Sequence, residues 1–337
     1  MPARLTMAFT GDIVPHRAVN RGAIQPDGTY DYTAMFSHLQ PMLEGADLAI
    51  CHLEAPVAPP GEQVLIEPMR LSVAAEIAPA IAAAGYDRCS TASNHSLDRG
   101  HAGIDATVNA LEAAGVPQSG MARTPEEVLP ALVEVNGVQV AHLSYTFSFN
   151  GLQFAAGEEW RSNVIEPTRI VADAAAMRAK GAQVVVVSLH WGVERGVQPT
   201  SFQRDIAHQL TVSGQIDLIV GHHAHVLQPI EQVNGVWVVW GMGNVLSDHP
   251  TSSQWPPSSQ DAAVVTVGMQ IAADGVVAVD APVVHPTWCD KDHGYVIRFT
   301  SEADDPALSD AVRQALRQSE QRTRELLGQF VVRPPGG

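Results

Sequence analysis

Residues Asp217-Leu218-Ile219-Val220-Gly221-His222-His223-Ala224-His225 hold the densest chemistry in the chain. Strand-like residues run into a glycine, and three histidines follow within four positions. Imidazole is the commonest protein ligand for borderline metal ions. A buried strand that ends in imidazoles delivers them to the carboxyl edge of a sheet, where open α/β folds place their ligands. His223 and His225 stand two apart, so in an extended segment both point the same way. The plainer alternative is a polar loop that happens to be rich in histidine.

Other strand ends weigh against that alternative. Residues 4–10 read as a buried strand that ends at Gly11-Asp12. Residues 47–52 form the next, followed by Leu53-Glu54, and 86–92 a third, ending at Ser93-Asn94-His95. Residues 183–189 read as a fully buried strand that ends at His190. Taken singly, Asp12 could be a cap, Asn94 a helix start and His190 a satisfied core histidine. Taken together, carboxylates, a carboxamide oxygen and imidazoles at successive strand exits suit two borderline or hard cations. A bridging carboxylate holds such ions about 3.5–4 Å apart, where the pair can activate water and clamp an in-line displacement.

The elements that must position these groups follow from periodicity. Helical spacing is expected over residues 32–43, 73–84, 102–114, 167–180, 201–212 and 306–330. The first half alternates strand and helix, which implies a largely parallel sheet covered by helices. Asn136-Gly137, Asn234-Gly235 and Asp274-Gly275 mark three hairpins. The loop 146–166 is long and carries Phe147, Phe149, Phe154 and Trp160. It reads either as a substrate mouth or as a lid packed on the core. The sum is an α/β protein with a four-layer α/β/β/α sandwich. Residues 1–300 read as the main domain and 301–337 as a C-terminal helix and tail.

Composition narrows the function. The chain has 337 residues, 45% hydrophobic and 17% charged, with a formal net charge of −16. Nucleic-acid binders show basic patches instead, and anionic membranes repel such a chain. No nucleic-acid or membrane partner is expected; a small-molecule or peptide substrate is, and the oligomeric state is open. The three cysteines, Cys51, Cys89 and Cys289, give no disulfide framework, and Cys51 and Cys89 read as buried thiols. No leader pattern and no apolar span near ~20 residues is visible, so a soluble, cytoplasmic protein is expected.

Six motifs occur in order: Thr10-Gly11-Asp12-Ile13, Cys51-His52-Leu53-Glu54-Ala55-Pro56, Ser93-Asn94-His95-Ser96-Leu97-Asp98-Arg99-Gly100, His190-Trp191-Gly192-Val193-Glu194, Gly221-His222-His223-Ala224-His225-Val226-Leu227-Gln228-Pro229 and Gly241-Met242-Gly243-Asn244. Across roughly residues 4–250 the chain resembles the CapA family, named for poly-γ-glutamate capsule synthesis, a branch of the calcineurin-like metallophosphoesterases. The resemblance implies their four-layer fold and two divalent ions, drawn from Mn, Fe, Zn or Mg. It implies Asp12 and His225 on one ion, Asn94, His190 and His223 on the other, and Glu54 between them. It also implies His95 as general acid, oriented by Asp98.

The chain departs from the wider superfamily in three places. Val14 stands where a histidine is usual, with His16 the nearest substitute. Glu54 replaces the usual bridging Asp. Residues 285–294 add His285, His293, Asp290 and Asp292, with the histidines read as surface turn residues or extra acid/base groups. Three functions follow as expectations. The first is metal-dependent hydrolysis of a phosphoester or an amide-like bond. The second is Cα epimerisation of a ribosomal peptide such as a lasso-peptide precursor, with Asp12 or His95 facing His293 across the carbon. The third is a metal-stabilised, non-catalytic assembly protein.

Overall fold

The computed structural model describes residues 3–64, 66–67 and 70–332. The chain opens with β1 (Ala3–Ile13), the short helices α1 (Arg17–Gly22), α2 (Thr33–Phe36) and α3 (Gln40–Leu43), and β2 (Leu48–Leu53). A small hairpin of β3 (Ile66–Glu67) and β4 (Arg70–Leu71) leads to α4 (Ile77–Ala83), β5 (Arg88–Ser90), α5 (Gly100–Ala113) and β6 (Gln118–Ser119). Then come β7 (Val133–Val135), β8 (Val138–Thr146), α6 (Pro167–Ala179), β9 (Val184–His190), α7 (Ser201–Val212), β10 (Leu218–His222), β11 (Ile230–Val233) and β12 (Val236–Val239). The chain closes with β13 (Asn244–Leu246), β14 (Asp261–Ile271), β15 (Val277–Val279), β16 (Val283–Asp290), β17 (Val296–Phe299) and α8 (Asp310–Leu327).

Two large sheets result. One runs β17-β16-β14-β1-β2-β5-β6, with β13 on β1 and β15 on β14; the other runs β11-β12-β10-β9-β8-β7. The alternation of side chains along each strand explains how they stack. Leu5, Met7 and Phe9 of β1 meet Val184 and Val186 of β9 and Leu218 and Val220 of β10 in one core between the sheets. The intervening Val185, Val187 and Ile219 pack under Ile170 and Met177 of α6 and Ile206 and Leu210 of α7. Ala49, Cys51 and Leu53 of β2 face the other way, against Phe36, Leu43, Ile77 and Leu111 from the helices. The architecture is the expected four-layer sandwich, and the three hairpins close at the expected Asn-Gly and Asp-Gly pairs.

Extending the same alternation locates the site. The series Leu48, Ile50, His52, the series Val186, Ser188, His190 and the series Val220, His222 each end with a polar group at the carboxyl end of an inter-sheet face. The chemistry therefore sits between the sheets at one rim.

Several boundaries differ from those expected. The helix expected over 32–43 is two single turns, because Pro41 in the first turn of α3 has no N–H to continue the preceding one. The helix expected from residue 73 begins at Ile77, since the Val73 N–H is taken by the Pro56 carbonyl at 3.0 Å. The C-terminal helix starts at Asp310, capped by Ser309 Oγ accepting the Val312 N–H at 3.3 Å. Its end reaches back into the sandwich, where Leu327 packs in the inter-sheet core. His285 is a buried residue of β16 rather than a surface turn. Cys51 and Cys89 are direct partners on the parallel strands β2 and β5, Cα–Cα 4.5 Å, and are joined as a disulfide. This corrects their reading as separate buried thiols. No helix among the described residues is long and apolar enough to cross a membrane.

Gly221 is tightly enclosed on β10. A Cβ there would overlap the Trp240 carbonyl and lie 2.6 Å from Trp191 Nε1. Gly221→Ala is therefore expected to destabilise the fold by about 1–3 kcal/mol. Denaturant melts check this, and an unchanged midpoint would show that β10 can shift to make room.

Candidate metal centre

The centre is assembled from both sheets. β1 carries a bulge: Phe9 pairs with Ile50, yet Asp12 pairs with His52, so an extra residue intervenes. Bulges re-aim side chains beside functional sites, and this one turns Asp12 into the inter-sheet space. Gly11 permits it, because a Cβ there would overlap the Gly243 carbonyl. Asp12 Oδ1 lies 2.9 Å from His222 Nδ1, and Asp12 Oδ2 accepts the His223 N–H at 3.0 Å.

β10 ends at His222, and the following histidines are not extended. His223 and His225 take φ values of +86° and +57°. Left-handed backbone in non-glycine residues costs about 1–3 kcal/mol and clusters at functional sites. The two rings thus converge through a tight turn, with centroids 5.7 Å apart, and not through the expected strand alternation. His225 Nδ1 lies 2.9 Å from Asn244 Oδ1, while the Asn244 amide donates to the His225 and Ser259 carbonyls. This gives Asn244, singled out in the sequence only as part of a motif, an orienting role.

Glu54 lies at the middle. Its Oε1 is 3.7 Å from His225 Nε2 and 3.8 Å from His190 Nε2. His190 Nε2 is also 2.9 Å from Asn94 Oδ1, and the Asn94 amide donates to Asn150 Oδ1 at 3.3 Å. The structure therefore gathers Asp12, Glu54, Asn94, His190, His223 and His225 in one buried cluster. His95 stands at its rim, with Nδ1 2.6 Å from Asp98 Oδ2, which also accepts the Leu71 N–H at 2.6 Å.

Not every expected residue joins. The His293 side chain is 55% exposed, and its Nδ1 is held 2.8 Å from Asp290 Oδ1. His16 is set back: its Nδ1 accepts the Asp248 N–H, and the His249 ring stands between it and His225. Phe147 from the long loop covers His223, with centroids 4.6 Å apart, whereas Phe149 and Phe154 pack beneath the loop with Leu97 and Ile104. The loop is thus partly lid and partly local core. His52 is a cluster member that sequence reasoning passed over, and His222, one of the three histidines after β10, joins it there. His52 stacks on His222 at 3.9 Å, and its nitrogens contact Ser90 Oγ at 2.7 Å and His190 Nδ1 at 2.9 Å. With both nitrogens engaged, His52 orients His190, as outer partners orient ligating imidazoles. The signal that could have found it is its place on the inward face after Leu48 and Ile50.

Electrostatics favour cations here. Burial would raise the Asp12 carboxyl, but hydrogen bonds from His222 and His225 outweigh it and hold Asp12 well below the usual range. Burial pushes Glu54 up to about 7 against the pull of His225. Burial lowers His225, yet Glu54 and Asp12 together raise it to about 9. Burial keeps His52 and His190 far below their ordinary value, and takes His223 down to about 3. Neutral imidazole is the ligating form. Both carboxylate oxygens of Glu54 and Nδ1 of His223 are buried with no hydrogen-bond partner. Buried charge without a partner is costly, so these orphaned atoms fit divalent cations. Three overlapping groups have ligand atoms close enough for an ion: Asp12 with His52 and His222, His52 with Glu54 and His190, and Glu54 with His223 and His225.

The same shifts set a pH dependence for metal-free protein. His16 and His223 are lowered to about 3 by burial, and His52, His142 and His190 are lowered strongly for the same reason. Unfolded chains take up these protons below about 6.5, so stability is full above that pH and falls as pH drops. Glu54, raised to about 7, acts in the opposite sense between 4.5 and 7, and His225, raised to about 9, does so between 6.5 and 9, against these five histidines. Chelator-treated protein should therefore melt lower at pH 5 than at pH 7 in a thermal scan. An equal or higher melting temperature at pH 5 contradicts the buried neutral histidines.

Comparisons with known proteins bear on the family and the fold. The family model described as bacterial capsule synthesis protein PGA_cap matches residues 6–249. The chain is 31% identical over 252 residues to the capsule biosynthesis protein CapA of Bacillus anthracis, covering 73% of this chain and 60% of that protein. It is 28% identical over 247 residues to the PGA biosynthesis protein CapA of Bacillus subtilis, covering 72% and 63%. The chain thus matches less than two thirds of the length of either relative. Among solved structures, the calcineurin-like phosphoesterase YfkN of Bacillus subtilis superposes with a TM-score of 0.52 at 15% identity, over 96% of this chain and 99% of that one. The NAD nucleotidase of Haemophilus influenzae does so with a TM-score of 0.51 at 12% identity, over 100% and 65%. These last two likenesses concern the fold. With the family match covering more than half of the chain and including every residue of the cluster, the chain belongs to the bacterial capsule synthesis protein PGA_cap family.

Proposed function

We propose that this chain is a metal-dependent hydrolase acting on a phosphoester or a peptide-like amide. The observation that carries the reading is Glu54, wholly buried between His190 and His225 with neither carboxylate oxygen hydrogen-bonded. In this reading Asp12 and His225 hold one divalent ion, Asn94, His190 and His223 hold a second, and Glu54 lies between. Mn, Fe, Zn or Mg each suit parts of this donor set. Bound there, the ions supply positive charge that polarises the scissile group and acidifies a water molecule.

The chain's own residues do the rest. Asp98 fixes the His95 ring through Nδ1, which leaves Nε2 at the rim to give a proton to the leaving group. Asn150 holds the Asn94 amide so that its oxygen faces His190. Phe147 shields His223 and His190 from solvent. Relatives named for capsule and PGA biosynthesis direct attention to amide substrates, while the net charge of −16 works against long polyanions. A short peptide-like amide or a small phosphoester is therefore the substrate class to test. No hydrogen bond or ring contact of His293 among the described residues reaches the cluster, so nothing favours epimerisation.

Elemental mass spectrometry on the purified chain is expected to find close to two divalent ions, reduced in Glu54→Gln and His223→Ala. One ion or none in correctly folded protein sinks the two-ion reading. With Mn or Zn supplied, aryl phosphoesters and short peptides should be turned over, and His95→Ala should lower kcat by about 10²–10⁴-fold at unchanged metal content. Full metal content with no turnover of any substrate would favour the non-catalytic assembly role instead.

A further inference from the structure

A groove of about 650 Å³ lies apart from the histidine cluster and shares no lining residue with it. Val108, Leu129, Leu132 and Val133 make it partly apolar, and Arg88 and Lys180 are its cations. Arg88, the first residue of β5, is 2% exposed. Its Nη2 donates to the Gln118 carbonyl at 3.2 Å, while its buried Nε has no partner. No carboxylate among the described residues pairs with it. The nearby acids are engaged elsewhere, since Glu112 and Glu127 both bind Arg123. Burial pushes the Arg88 guanidinium down to about 10, so it is charged at neutral pH.

A buried guanidinium without a counter-charge is costly, and a fold keeps one where something anionic meets it. Its planar array of donors matches a carboxylate. The exposed Glu126 at the rim and the net charge of −16 resist a second negative charge. The apolar wall suits a hydrocarbon body. We propose that this groove binds a small monocarboxylate, with its carboxylate on Arg88 and its apolar body against Leu129, Leu132 and Val133. Lys180, exposed at the end of α6, adds attraction at the mouth.

Thermal melts of the full chain at fixed ionic strength, with chloride as reference, test this. The probes are acetate, hexanoate and inorganic phosphate. Hexanoate at ten times its Kd, set by titration calorimetry, should raise the melting temperature by about 2 °C. Acetate should act more weakly, and phosphate no more than chloride. Arg88→Met should abolish the hexanoate shift while leaving the ligand-free protein at least as stable as wild type. A structural arginine would lose stability instead. Ala131→Trp, which fills the exposed rim and keeps Arg88, should also abolish the shift, and it decides the matter if Arg88→Met does not fold. No shift in wild type, an equal shift in either variant, or a larger shift with phosphate overturns the proposal.

Discussion

The arrangement depends on one electrostatic constraint: a carboxylate, Glu54, held in the space between two sheets. A buried carboxylate is tolerated only where positive charge or hydrogen bonds replace water. Here the groups around it converge from opposite directions, and neither of its oxygens is hydrogen-bonded. His190 and His225 belong to one sheet and its exit turn, while Asp12 and Asn94 stand at strand ends of the other. The bulge in β1, the left-handed turn at His223 and His225, and the close approach at Gly11 all serve that convergence. Each is a local departure from regular geometry, and each sits within reach of the same carboxylate.

Much of this was legible because strands obey a simple rule. Alternation put Val184, Val186 and His190 on one face and placed the polar groups at strand exits, and the Asn-Gly pairs marked the hairpins. What escaped did so for physical reasons. His52 stands on the inward face after Leu48 and Ile50, a signal that points to the site only once the contacts of β2 with β9 and β10 are known. The turn that aims His223 and His225 depends on contacts from Asp12 and Ala224 to distant segments, which no local pattern encodes. The pairing of Cys51 with Cys89 required the register of β2 against β5, and a separation of 38 residues carries no such information.

Helix boundaries were the weaker part. Residues 32–43 have good helical spacing, yet Pro41 divides them, and tertiary contacts at Val73 delay α4. Apolar periodicity reports which face is buried, while the missing or diverted N–H decides where the helix starts. The candidate site was little affected, because its residues hang on strands and not on helix ends.

The pairing of Asp12 with His222 joins residues 210 apart in the chain. Closing so long a loop costs entropy before any contact is gained, and non-local contacts of this kind form slowly. Neither sheet alone holds a complete ligand set. The centre therefore comes into being only when the two halves of the sandwich have docked, as a late event in folding. An ion bound there would act as a clasp between layers and would link metal supply to the yield of the mature fold.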